Sequence, residues 1–484
     1  MIQSALLVMV LMIQAVPVID VVYPRTAPGE AMPYIARVDS NFIFGSVQPP
    51  GSRLWIDGIE AKVNKNGSFL AFQKVDWNRK SYLLKALLGN DSSKVEVTFS
   101  TKPVAATPPV REYSPGDFPR QIELSGQPLR TDPRGTYFLF PTAGTKVTAT
   151  SFKAGNFRIP LTADRSAWVE ARTVRNDGGK ASLDDPVSVW RIDIDSTESG
   201  VSLFLPIDRK LLVRLADEPS PAMLTLELFG AVSHIDKISY PAGETIIREV
   251  TWEQIADSVI RLRIGFNGSL WGYSGEWEEK GYRLTVRNAP AIGRRLEGLC
   301  IAIDPGHGGK QDGSIGPTGL KEKDANLRVA KTVVERLRNA GATVLLTLDQ
   351  DSTVGLPDRT GLAESFNADL LISLHHNALP DGVNPFGNFG TGTYYYRPQS
   401  HDLAVAVQNA VVSEFGLWDE GVYYNDLALV RPTFQPGILL ESAYIMLPEQ
   451  ETLIGSSDYP SRLARAIEKG VATFVHERLT NYSR

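Results

Sequence analysis

Leu299-Cys300-Ile301-Ala302-Ile303-Asp304-Pro305-Gly306-His307-Gly308-Gly309 joins a short apolar run to a glycine-rich turn that carries a histidine. The run has the length of a buried strand, and polar residues arrive only where it ends. Downstream, the same punctuation recurs. Residues 322–340 read as an amphipathic helix closed by Gly341. Strands are expected at 343–348, 370–374 and 437–440, and helical stretches at 361–367, 402–415 and 459–478. Alternation of this kind predicts an open, mostly parallel α/β sheet over residues 296–484.

In open α/β sheets, ligands gather at the carboxyl ends of the strands. The residues that follow the expected strands are therefore informative. Asp304 to Gly309 follows the first strand, His375-His376-Asn377 the third, and Glu441 the last, while Glu322 opens the long helix. Two histidines and a carboxylate leave a fourth zinc position open for water. Imidazole and carboxylate suit zinc, whereas calcium and magnesium favour oxygen ligands. Glu441 then has the role that remains, moving a proton between water and a leaving group. Singly, each residue has a plainer reading: Glu322 as a helix-start carboxylate favoured by the macrodipole, the histidines as satisfied polar groups. Of the six histidines, His234, His401 and His476 lie in no such context and read as structural or surface residues.

Upstream of Arg294 the pattern is all β. Residues 19–100 resemble a small immunoglobulin-like sandwich, with Asp57-Gly58 and Asn66-Gly67 as hairpin turns. The proline-rich residues 101–119 read as a linker. Residues 120–180 look like an SH3-like barrel, and 186–290 like a β-sandwich targeting module. Trp271, Tyr273 and Trp277 read as core of that sandwich, with a sugar-stacking platform as the alternative.

The apolar run from Ala5 to Val18 has signal-peptide length, short of a membrane span, although no Lys or Arg precedes it. Export to the periplasm or cell envelope is the expectation for 1–18, and a buried first strand the alternative. No other segment is long and apolar enough to span a bilayer. The net charge of -5 offers no basic field for nucleic acid. The single cysteine, Cys300, reads as a core residue.

Four words in order carry a resemblance: Ile303-Asp304-Pro305-Gly306-His307-Gly308-Gly309, Gly319-Leu320-Lys321-Glu322-Lys323-Asp324, Ser373-Leu374-His375-His376-Asn377-Ala378 and Leu440-Glu441, with Arg359 and Ala368-Asp369 fitting beside them. Residues 296–484 resemble the zinc-dependent N-acetylmuramoyl-L-alanine amidases of the amidase-three family. The resemblance implies peptidoglycan as substrate and hydrolysis of the amide between N-acetylmuramic acid and L-alanine. It implies Zn2+ on His307, Glu322 and His375, with Glu441 as catalytic base. His375 is preferred to His376 because the family's ligand directly follows the Ser-hydrophobic pair; His376 is expected to face away, with a substrate contact as the alternative. Asp304 is expected to orient His307. Some relatives carry a helical insertion over the metal, but 379–392 is short and rich in Gly, Pro and Asn, so no plug is expected. A protein activator or division partner is compatible with this reading. Rival readings are a zinc peptidoglycan peptidase and an inactive wall-binding scaffold.

Overall fold

The computed structural model describes residues 16–27, 30–103, 113–176, 185–243 and 245–481. The signal-peptide expectation for 1–18 therefore falls almost wholly outside the described residues, as does the middle of the expected linker. Among the described residues, no helix is long and apolar enough to cross a membrane.

In the C-terminal unit the chain runs β1 (Cys300–Pro305), α1 (Glu322–Asn339), β2 (Thr343–Leu346), α2 (Leu356–Ser365), β3 (Leu370–Asn377), β4 (Gly390–Tyr395), α3 (His401–Phe415), β5 (Trp418–Tyr424), β6 (Gly437–Tyr444), α4 (Pro448–Gly455) and α5 (Tyr459–Asn481). One six-stranded sheet results, in the order β2-β1-β3-β6-β4-β5. Its β2-β1-β3-β6 half is parallel, as expected. Strand β4 runs antiparallel to β6, which makes the sheet mixed. Two strands, β4 and β5, go beyond the sequence reading; β4 carries Gly390, Thr391 and Gly392 in what read as loop. Helix α2 begins at Leu356, behind Gly355 and with Pro357 in its first turn, where proline's fixed φ suits a helix start.

The core explains why these segments order. Ile301, Ile303, Leu370, Ile372, Ile438 and Leu440 are fully buried and meet Val329, Val333 and Leu337 of α1 and Leu463, Ile467 and Val471 of α5. Spacings of three and four residues on the helices present one apolar stripe to the sheet. The expected core role of Cys300 is softened: it begins β1 and is half-buried.

Upstream, two antiparallel sheets of three and four strands enclose Ile43, Leu54, Phe69, Tyr82 and Leu84. The Asp57-Gly58 hairpin is present, both residues at positive φ (50° and 83°), joining Arg53–Ile56 to Ile59–Ala61. Residues 120–175 form sheets of five and three short strands, and 187–287 sheets of five and four. Tyr273 is fully buried in the third unit's core and Trp277 packs against it, as expected, but Trp271, also fully buried, belongs instead to the core of the C-terminal unit, against Phe474.

The third β unit is fastened to the amino-terminal edge of the C-terminal sheet. Arg287 donates to Ala368 O (2.6 Å) and pairs with Asp369 (3.1 Å) just before β3. Asp369 also accepts from the Cys300 N–H at the start of β1 (2.8 Å), and its carbonyl accepts from the Trp271 indole (3.1 Å).

Candidate metal centre

Strand β1 ends into a turn that places His307 with φ at 68°, a left-handed conformation that strains a non-glycine residue. Arg359 of α2 holds it there. Its guanidinium donates to the carbonyls of Pro305 (2.6 Å) and His307 (2.5 Å) and to Asp304 Oδ1 (3.0 Å). Asp304 is buried and also accepts from Thr347 (2.6 Å) and Ser373 (2.7 Å). Asp304 does not contact His307 as expected: it binds Arg359, which grips the histidine's backbone rather than its ring.

Glu322 is the first residue of α1, where the helix dipole favours a carboxylate. One of its oxygens lies 2.9 Å from His375 Nδ1, and the other 3.1 Å from His307 Nε2. Backbone N–H groups of His376 (3.2 Å) and Ser314 (2.8 Å) also donate to it. Burial alone would raise the Glu322 carboxyl. The hydrogen bonds and charges of the two histidines outweigh that and hold it well below the usual carboxylate range. His375 is correspondingly raised: burial pulls it down, but Glu322 and then Glu441 pull harder.

Metal-ligating atoms of His307, Glu322 and His375 all lie within 4.8 Å of one another. Two glycines keep this cradle clear. A Cβ on Gly306 would lie 2.1 Å from the His375 ring, and one on Gly313 would lie 2.5 Å from Glu322 Oε2. Two imidazoles, a carboxylate and walls that no side chain fills together suit a tetrahedral metal with an open position.

His376 points the other way, as strand alternation requires. It is buried, with Nδ1 2.7 Å from Asn326 Oδ1 and Nε2 3.2 Å from the Tyr459 hydroxyl. Burial lowers it to about 4, so it is neutral near pH 7. Asn326 in turn donates to Gly306 O (3.0 Å). Asn326 and Tyr459 went unnoticed in the sequence, although a polar Asn four residues after Glu322 on an otherwise apolar helix face was a usable signal.

Glu441 lies opposite His375 in the β3–β6 register and opposite Gly392 of β4. Its Oε2 is buried and has no hydrogen-bond partner among the described residues. Burial, with the nearby negative charges of Glu322 and Glu420 and against the pull of His375, raises Glu441 to about 7. The segment after Ala378 carries turns and no helix as far as β4.

A model of the family described as N-acetylmuramoyl-L-alanine amidase matches residues 301–473. The uncharacterised protein YqiI of Bacillus subtilis is 32% identical over 201 residues, covering 41% of this chain and 95% of that protein. The N-acetylmuramoyl-L-alanine amidase LytC of the same organism is 31% identical over 200 residues, covering 40% of each. The chain thus spans less than half the length of LytC. The N-acetylmuramoyl-L-alanine amidase AmiC2 of Nostoc punctiforme is 32% identical, covering 38% of this chain and 99% of that structure, with a TM-score of 0.35.

Proposed function

Because this chain belongs to the N-acetylmuramoyl-L-alanine amidase family, we propose that it works as a zinc amidase on peptidoglycan, outside the cytoplasm. The bond cut is the amide between the lactyl group of N-acetylmuramic acid and L-alanine. The observation that carries this reading is the meeting of His307, Glu322 and His375 at one sheet edge with Glu441 on the adjacent strand, whose Oε2 is buried and has no hydrogen-bond partner among the described residues.

His307, Glu322 and His375 would hold the zinc, which when bound supplies Lewis acidity toward the scissile carbonyl. Glu441 takes a proton from the attacking water and returns it to the departing alanine nitrogen. Burial lifts its carboxyl above the usual carboxylate range in the metal-free chain, the direction a base needs if it is to hold and then give back a proton. Asn326 and Arg359 fix the backbone on either side of His307 without touching the reacting atoms. For the upstream units the reading is immunoglobulin-like, SH3-like and wall-targeting in turn. It is supported by paired, mostly antiparallel sheets around small cores, the second of which is shared with Leu212, Phe229 and Val259 of the third unit.

The test is to incubate the zinc-loaded protein with peptidoglycan and identify the released fragments by mass, beside Glu441→Ala. Intact stems with a free L-alanine amine, lost in the variant while zinc stays bound, are expected. Fragments cut within the stem would make the protein a peptidase. Bound zinc without cleavage would favour a scaffold, or an enzyme that needs an activating partner.

A further inference from the structure

The first β unit sits against the metal-site side of the C-terminal unit. Phe42, Phe44 and Leu70 pack on Met446 and Leu447. Lys62 reaches Glu449 (3.2 Å) and Asn66 reaches Thr452 (3.2 Å) at the rim. The tightest tie is to the loop that follows His375. One Asp381 oxygen accepts from the Tyr23 hydroxyl and the Asn41 amide (2.9 Å), the other from the Ala36 N–H (2.6 Å). Asn41 Oδ1 accepts from the Gly382 N–H (3.0 Å).

A cavity of about 360 Å³ runs between the two units. Tyr23, Arg25, Phe42 and Phe44 line one side, facing Gly313 and Ser314 on the other. These last two residues back onto Glu322, since the Ser314 N–H donates to its carboxylate. The cavity therefore adjoins the metal cradle. Arg25 is half-exposed, and its ion pair among the described residues is with Asp312 at 4.0 Å, beyond hydrogen-bond length. Asp312 already serves Lys321 and Lys323, each at 3.3 Å. Lys323 has a closer partner in Asp351 (2.8 Å), but Arg25 holds only the longest contact to a carboxylate that two lysines already reach, while Asp381, the acid on this wall, has both oxygens engaged.

We propose that this cavity is a subsite for the peptide stem, in which Arg25 receives a stem carboxylate and the aromatic wall takes small apolar side chains. The proposal rests on the amidase reading. Of the two halves flanking the scissile amide, the sugar's lactyl carboxyl is consumed in the bond, so free carboxylates lie on the peptide side. A guanidinium held only by a long, shared contact beside an apolar wall fits that half and not a neutral, hydroxyl-covered glycan. A guanidinium fork is suited to bidentate capture of a carboxylate. The first β unit would then set specificity as part of the cleft.

The test uses the full zinc-loaded chain and two soluble muramoyl-peptides, one with free stem carboxylates and one with them amidated. The wild type is expected to prefer the free acid by about 10- to 100-fold in kcat/KM, the range of a charge-assisted hydrogen bond. Arg25→Gln should bring the ratio close to one, chiefly through KM, and Arg25→Lys should restore part of it. The ratio compares substrates on one preparation, so partial misfolding cannot imitate the change. A ratio unchanged in Arg25→Gln, or a wild type without preference, overturns the subsite alone. A zinc-bound wild type that cleaves neither substrate overturns the amidase reading with it.

Discussion

Replacing Glu441 by Gln should abolish cleavage and at the same time stabilise the metal-free protein at alkaline pH. The reasoning starts from burial. Glu441 is raised from an ordinary 4.5 to about 7 in the folded chain. Below pH 4.5 the group is neutral in both folded and unfolded states and has no effect. Between 4.5 and about 7 the unfolded chain loses its proton while the folded chain keeps it, so stability falls as pH rises. Above about 7 the cost is complete. At ~1.4 kcal/mol per unit it is about 3 kcal/mol. Glutamine keeps the shape without the charge and escapes that cost. The measurement is thermal or urea unfolding of both proteins in chelator, followed through the C-terminal unit from pH 5 to pH 9. The variant should match the wild type at pH 5 and lead it by up to about 3 kcal/mol at pH 9. A difference that does not grow with pH would refute the argument that burial, uncompensated by hydrogen bonding, sets this carboxyl.

Other outcomes follow from the same geometry. Gly306→Ala places a Cβ 2.1 Å from the His375 ring and should weaken zinc binding by about 10- to 100-fold, read by chelator competition. Arg359→Ala strands the buried Asp304 charge and releases the strained His307 turn; a loss of about 3–5 kcal/mol is expected in denaturant unfolding. Zinc affinity should fall as pH drops through the raised pKa of His375, because protons compete for its ring, which titration calorimetry at several pH values would check. Arg287→Ala leaves Asp369 buried without its partner and should expose the junction with the third β unit to proteolysis.

The parallel half of the sheet was legible because its strands are continuous apolar runs that end abruptly in chemistry-bearing words. Ile301-Ala302-Ile303 before Asp304 and Leu370 to Leu374 before His375 have no other economical reading. The strands β4 and β5 were not legible. Gly390, Thr391 and Gly392 lack the bulk that marks a strand, and Trp418 to Tyr424 is interrupted by Gly421 and lies at the sheet's edge, so one face never needed to be apolar. The candidate ligands could be read from type and position, since few residues can do their work. Their supports could not. Apart from Asn326, whose polar side chain stands out on an apolar helix face, they act through contacts between residues far apart in the chain, as Tyr459 and the Asp381 latch do, and no local pattern announces those.

The placement of the β units has a physical logic of its own. A parallel sheet leaves its carboxyl edge open for chemistry, so a unit fixed rigidly to the amino edge cannot obstruct it. Arg287 and Trp271 make that attachment at the start of β1 and β3. A buried ion pair is weak evidence for stability, because desolvation takes back most of the Coulombic gain. Its geometric demand is strict, however, and Arg287 satisfies three carbonyls besides Asp369, so it defines one orientation. The first unit occupies the opposite edge and is tied by Asp381 to the very loop that leaves His375. Strand β3 therefore begins at one module's anchor and ends at a candidate metal ligand beside another's. Its fully buried Leu371, Ile372 and Ser373 leave little freedom for either end to shift alone. The cavity lined by the first unit and the C-terminal unit lies at one end of this strand, and the buried Arg287–Asp369 pair fixes the chain at the other.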